Sequence, residues 1–312
     1  MKDIRKRCMT ELSKLTTQTT METWHPEELN HIARKLLFMN DFIRYNVFPP
    51  GIERRFAQLE EKASTHERAS FYKGLLLVSM LELTKILNQS IVTSEIMTLY
   101  EGWLDRVLHE CGSDEEESYT KSNDKMLKDL AICTGNMYPA GAQIVEITGI
   151  GKRTFLQGSR LSQAKGLLYL TRTLKLQTDS FYQIHTDDRY LHEFSAEGFY
   201  RCYLRIADML LLHPEIQGVW GASWFFDPQI QHISPHLGYL YLRPFENGAH
   251  FFYQGTTASD ITNATSTSRS RRKKMEAGEY TPTGYAMIWH RRELLQWAED
   301  QRRKNTAVSQ AV

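Results

Sequence analysis

Apolar positions along the first 135 residues recur at intervals of three to five, close to the period of a helix with one buried face. In "HPEELNHIARKLLFMNDFIRYNVF", Leu29, Ile32, Leu36, Leu37 and Phe42 fall near a single face. The spacing predicts a helix that residues 49–51, "PPG", bring to a stop. "IERRFAQLEEKA" resumes as a charged, surface-lying helix, and "ERASFYKGLLLVSMLELTKILNQ" is apolar enough to be the buried centre of this half. "TSEIMTLYEGWLDRVLHEC" follows, with Thr93 or Ser94 as its cap. Residues 112–124, "GSDEEESYTKSND", are acidic and poor in large apolar groups, so they read as an exposed loop or linker; a docking tail for a basic partner is the second reading.

The pattern changes after "GNMYPAGA". "AQIVEITGI" is short and rich in branched residues, hence a strand. "GSRLSQAKGLLYLTRTLKL" reads as a helix capped by Ser159, and "SFYQIHT" as a strand. "SAEGFYRCYLRIADMLLLHPE" is a helix of about five turns that Pro214 ends. "IQGVWGASWFFDP" is a buried strand, and "GYLYLRPFENGAHFFYQG" supplies further strand or short helix. "TTASDITNATSTSRSRRKK" reads as a polar loop ending in a basic cluster, and "TGYAMIWHRRELLQWAEDQRRK" as a last strand and helix. The expectation is an α+β (or α/β) chain: a helical region at 1–135 packed on a mixed-sheet domain at 136–300, with 301–312 a fraying tail.

Composition narrows this picture. The 312 residues are 41% hydrophobic and 24% charged, ordinary for a folded domain. The net charge of +1 gives no overall field for nucleic acid or anionic lipid, so neither nucleic acid nor membrane is expected as a partner. Cys8, Cys111, Cys133 and Cys202 are too scattered for a zinc cage or a disulfide framework and read as buried thiols of a cytoplasmic protein. No apolar run reaches the ~18 residues of a membrane span, and the basic N-terminus lacks the apolar core of a secretory signal.

Chemistry-bearing residues crowd into 181–253. His185, Asp187, His192 and Glu193 offer hard and borderline metal donors within nine positions, although none of the usual ligand spacings joins them; a polar loop before a helix is the plainer reading. The chain contains neither a GxSxG elbow nor a cysteine-protease signature. "TGIGKRTF" lacks the first glycine of a phosphate-binding loop and reads as a hairpin turn with a basic tip. More informative is the strand–loop–helix run "SFYQIHTDDRYLHEFSAEGFYRCYLRIADM". A helix start presents unpaired amides and a positive dipole end, where an anion is welcome. Ser195 would cap that start and Gly198 permit close approach, although capping alone accounts for both.

This order of elements resembles the second half of the GNAT superfamily of N-acyltransferases, over roughly residues 181–253. "SFYQIHT" is similar to the central strand, and "HEFSAEGFYRCYLRIADMLLLHPE" to the helix whose start holds the pyrophosphate of coenzyme A, with Gly198 the single glycine in "EFSAEGF". "GVWGASWFFDP" resembles the next strand, and "SPHLGYLYLRPFENGA" the segment bearing a tyrosine acid. The resemblance implies an acyl-coenzyme A co-substrate and an amine acceptor. Ser195, Ala196 and Gly198 would bind pyrophosphate through their amides, and Arg269, Arg271 and Arg272 would clamp a phosphate. Glu193 or His185 would deprotonate the amine, and Tyr239 or Tyr241 would protonate the leaving thiolate.

Two other classes compete. One is a metal-dependent enzyme using His185, Asp187, His192 and Glu193. The other is a non-catalytic interaction protein whose helical half offers "LLLVSMLELTKIL" as a partner or homodimer face.

Overall fold

The computed structural model describes residues 1–18, 24–39 and 44–310. The chain is an α+β protein in two units, 1–140 with 144–147, and 141–143 with 148–312. The first unit holds α1 (Lys2–Gln18), α2 (Pro26–Leu36), α3 (Pro50–Lys62), α4 (Thr65–Ile86), α5 (Ser94–Cys111) and α6 (Asp124–Cys133), then β1 (Met137–Pro139) and β2 (Ile144–Thr148) as an antiparallel pair. Its centre is α4. Ser64 accepts from the Glu67 amide while the Glu67 carboxylate accepts from the Ser64 amide, a reciprocal cap that fixes the helix start. Every residue from Ala69 to Met80 is buried, as a helix that is apolar all round must be.

Two boundaries differ from the sequence pattern. Helix α2 ends at Leu36, well before the prolines; Pro49 and Pro50 instead open α3, where a missing amide hydrogen costs nothing. Phe42, counted above on the α2 face, lies outside the described residues. The acidic stretch 112–124 is irregular, yet it folds back: Tyr119 is buried beneath the Lys73 ammonium, which lies 5.0 Å from the ring centre and donates to the Ser113 carbonyl.

The second unit is built on four strands in the order β3 (Phe181–His185), β4 (Gly218–Ser223), β6 (Gly284–His290) and β5 (His250–Gly255). β3 and β4 are parallel, and the other two pairings are antiparallel. The parallel connection needs a crossover, which α8 (Ala196–Leu212) supplies. α8 and α13 (Arg291–Gln310) cover one face, where Tyr203 and Trp297 meet Trp289. On the other face a 3-10 turn (Lys152–Leu156), α7 (Arg160–Leu168) and a π turn (Tyr169–Thr173) bring Phe155, Tyr169 and Leu174 against Phe181, Trp220 and Ile288. Trp289 and Ile288 are neighbours on β6 and point to opposite faces.

Three expectations are corrected here. "TGIGKRTF" is no hairpin turn, because its basic part forms the 3-10 turn leading into α7. The Ser/Thr-rich stretch after 256 is not a loop: α11 (Ala258–Ser266) starts at a reciprocal Thr257–Asp260 cap and α12 (Arg269–Glu276) at Ser268. Between β4 and β5, after the four-residue α9 (Ile230–Ile233), "GYLYLRPFENGAHFFYQG" supplies the short helix α10 (Tyr239–Glu246) and the strand β5, as its sequence allows. At the other end of the unit, α13 continues through 301–310, where the sequence reading has a tail.

Candidate active site

β3 delivers His185 to the end of the sheet, and the chain then turns through residues 188–193 into α8. Most acids of the crowd are spoken for by neighbours. Asp187 is buried, and Arg189 reaches it with Nε at 2.9 Å and Nη2 at 2.8 Å. Glu193 Oε2 accepts from Arg201 at 2.9 Å. His192 is exposed, with its ring 5.9 Å from that of Tyr190. Among the described residues no three His, Cys, Asp or Glu side chains are placed to hold a metal ion. The proposed set His185, Asp187, His192 and Glu193 therefore does not converge: a tight turn fans it out, and arginines hold two of its acids.

The start of α8 is better formed. Ser195 Oγ accepts from the Gly198 amide at 3.0 Å, the cap its sequence position predicts. Gly198 is obligatory, since a Cβ there would lie 1.9 Å from the Glu193 carbonyl oxygen. Ala196 follows in the first turn, and Arg243 of α10 donates to its carbonyl at 2.6 Å, bringing a cation to the same helix end. Tyr239 packs its ring on Phe199, with centroids 5.7 Å apart. Its hydroxyl is buried and has no hydrogen-bond partner among the described residues. Burial pushes that phenol up to about 12, against a smaller pull down by Arg243, so it stays protonated near neutral pH. Tyr241 is also raised by burial; it stacks on Phe245 at 5.1 Å and meets Phe251 at a tilt at 4.7 Å.

The arginine clamp does not form. Arg271 is buried, donates Nε to the Ala264 carbonyl at 2.5 Å and Nη1 to Ser234 Oγ at 3.2 Å, and lies over the Trp224 ring. It ties α11 and α12 to the loop before α10 and has little left for a phosphate. Arg272 donates to the Thr265 carbonyl, and Arg269 is exposed in the first turn of α12. The thiols offer no nucleophile, since Cys8, Cys111 and Cys202 are buried and pushed up to about 12 by desolvation.

A feature that the sequence did not reveal lies on the opposite face. A cavity of about 950 Å³ opens beneath α7, walled by Phe155, Tyr169, Phe252 and Tyr253, with Lys165 and Arg172 among its lining. No carboxylate among the described residues lines it. Tyr169 begins the π turn, and its ring sits 4.4 Å from His250, whose pKa partial desolvation lowers below the ordinary value. Such wide turns recur at functional positions. The walls come from segments some ninety residues apart, so no local motif announces them.

No family model matches the chain, and no curated protein matches its sequence. Among solved structures it is similar to an acyltransferase in complex with decanoyl-CoA, at a TM-score of 0.48 and 12% identity over 84% of this chain and 76% of the other. An acyltransferase in complex with CoA and 10C-teicoplanin gives 0.47 and 12% over 85% and 77%. A likeness of that size assigns no chemistry to this chain.

Proposed function

We propose that the second unit transfers an acyl group from a coenzyme A thioester to an amine at the start of α8. The observation that carries this reading is the Tyr239 hydroxyl, buried and unpaired beside the first turn of that helix. A buried hydroxyl without a partner costs about 1–3 kcal/mol. A thioester sulfur arriving at the helix start would give it one.

In this reading the neutral amine attacks the thioester carbonyl, the C–S bond breaks, and the proton lost by nitrogen ends on sulfur. Tyr239, protonated at working pH, donates its hydrogen bond to the thiolate as charge develops there. His185, or Glu193 once released from Arg201, takes the amine proton directly or through water. The Ser195 and Gly198 amides are already taken by the Glu193 carbonyl and the Ser195 hydroxyl, which leaves the Ala196 amide and the helix dipole, with Arg243 beside them, to favour the negative charge that develops on sulfur. Support comes from the crossover topology, since the parallel ladder holds only Tyr182 against Val219 and Gln183 against Trp220, and both strands run on beyond it.

A second reading, a non-catalytic protein that binds an amphipathic anion, is favoured by the aromatic, acid-free cavity on the other face. Calorimetric titration of the full chain with coenzyme A, an acyl-coenzyme A and a free fatty acid separates the two. The acyltransferase reading expects coenzyme A and its thioester to bind with similar affinity. Binding of the fatty acid with no response to either coenzyme A species would sink it and leave the second.

A further inference from the structure

A net charge of +1 hides a segregation. Residues 149–178 contain Lys152, Arg153, Arg160, Lys165, Arg172 and Lys175 and not one Asp or Glu. The same stretch carries Leu156, Leu161, Leu167, Leu168 and Leu176, each about half exposed and Leu161 at 67%. Within α7 only Gly166 is buried. Its backbone lies so close that a Cβ would come 1.9 Å from the Phe155 carbonyl oxygen, so the helix rests on its glycine and turns its leucines outward. Lys175 and Leu176 both hold left-handed conformations, φ 49° and 67°, unfavourable without glycine. The Leu176 amide nonetheless bonds the Leu170 carbonyl, and that turn presents its side chain to solvent.

We propose that this segment is a docking surface for an anionic lipid bilayer, with α7 lying in the headgroup layer. Its two features select the partner together. Cations alone would suit the phosphates of a nucleic acid, but outward leucines gain nothing there. Leucines alone would suit any apolar surface, but cations without a single acid among them select a negative one. An anionic bilayer offers phosphate at its surface and an apolar phase a few ångströms below. No helix among the described residues is long and apolar enough to cross a membrane, so the attachment is peripheral. The long stems of Arg160 and Lys175 let their charges reach the headgroups while the leucines sink.

The test is sedimentation of the full chain with vesicles of phosphatidylcholine, alone or with about one third phosphatidylglycerol. Binding is expected to the anionic vesicles only, and to weaken as salt rises from about 0.1 to about 0.5 M. The double variant Leu161→Ser, Leu167→Ser and the double variant Arg160→Gln, Lys175→Gln are each expected to lower binding about tenfold or more. All four side chains are exposed, so circular dichroism should show an unchanged fold. No binding, or equal binding to neutral vesicles, would overturn the proposal. So would loss of binding in the charge variant with none in the leucine variant, together with displacement by RNA, which would identify a phosphate-backbone site instead.

Discussion

The two faces of the β3–β4–β6–β5 sheet solve opposite problems. Beneath α8 and α13 the aromatic rings interlock, and the acids at the helix start are matched to arginines, Asp187 to Arg189 and Glu193 to Arg201. Beneath α7 the cover is thin, a cavity remains, and the cations meet no carboxylate in its walls. A crowd of charged letters in sequence is therefore a poor sign of a site when the two signs alternate, because neighbours neutralise one another. One sign alone, spread thinly through leucines and threonines, is the arrangement that leaves something to bind.

The largest expected effect belongs to the buried arginine of α12. Arg271→Ala should lower stability by about 3 kcal/mol, since it strands the Ala264 carbonyl and removes the cation from Trp224. Denaturant unfolding measures it; a loss under about 1 kcal/mol would mean that the guanidinium is not structural. A matched pair comes next. Gly198 and Gly166 would each place a Cβ 1.9 Å from a carbonyl oxygen. Gly198→Ala meets a helix locked in the core and should cost about 2–3 kcal/mol, whereas Gly166→Ala can push the exposed α7 outward for about 1 kcal/mol. Equal costs would show that α7 is held as firmly as α8. Tyr239→Phe removes an unpaired buried hydroxyl and should leave the melting temperature unchanged or raise stability by up to about 1 kcal/mol.

The smallest effect belongs to pH. Partial desolvation against Tyr169 lowers His250 below its ordinary 6.5, outweighing the opposite pull of Glu293, so on acidification the unfolded chain takes the proton first. Its contribution to stability is whole above pH 6.5 and is lost as pH falls through the lowered folded value. Between pH 7 and 5 the wild type should lose stability more steeply than His250→Gln. Parallel pH profiles would remove His250 from the account.

What the sequence disclosed follows the range of its signals. The β3–α8–β4 run was legible because its periodicity, the Ser195 cap and Pro214 are all local. So was α4, whose apolar run left no solvent face. The helices α11 and α12 were missed because Ser and Thr crowd the first and basic residues the second, although Thr257 with Asp260 and Ser268 stand at capping positions that could have announced them. The fate of Arg271 was illegible, since its partners Ser234 and Trp224 are distant in the chain. The cavity was illegible for the same reason. The acid-free stretch 149–178 was in plain view, but a whole-chain charge averages it away.

The most direct test of the α8 site is release of thiol from an acyl-coenzyme A in the presence of a simple amine, followed with a thiol reagent for wild type and Tyr239→Phe. The account predicts amine-dependent release by the wild type and a rate about 100-fold lower in the variant, with no loss of thermal stability. Equal rates in the two proteins, or no amine-dependent release by the wild type, would contradict it.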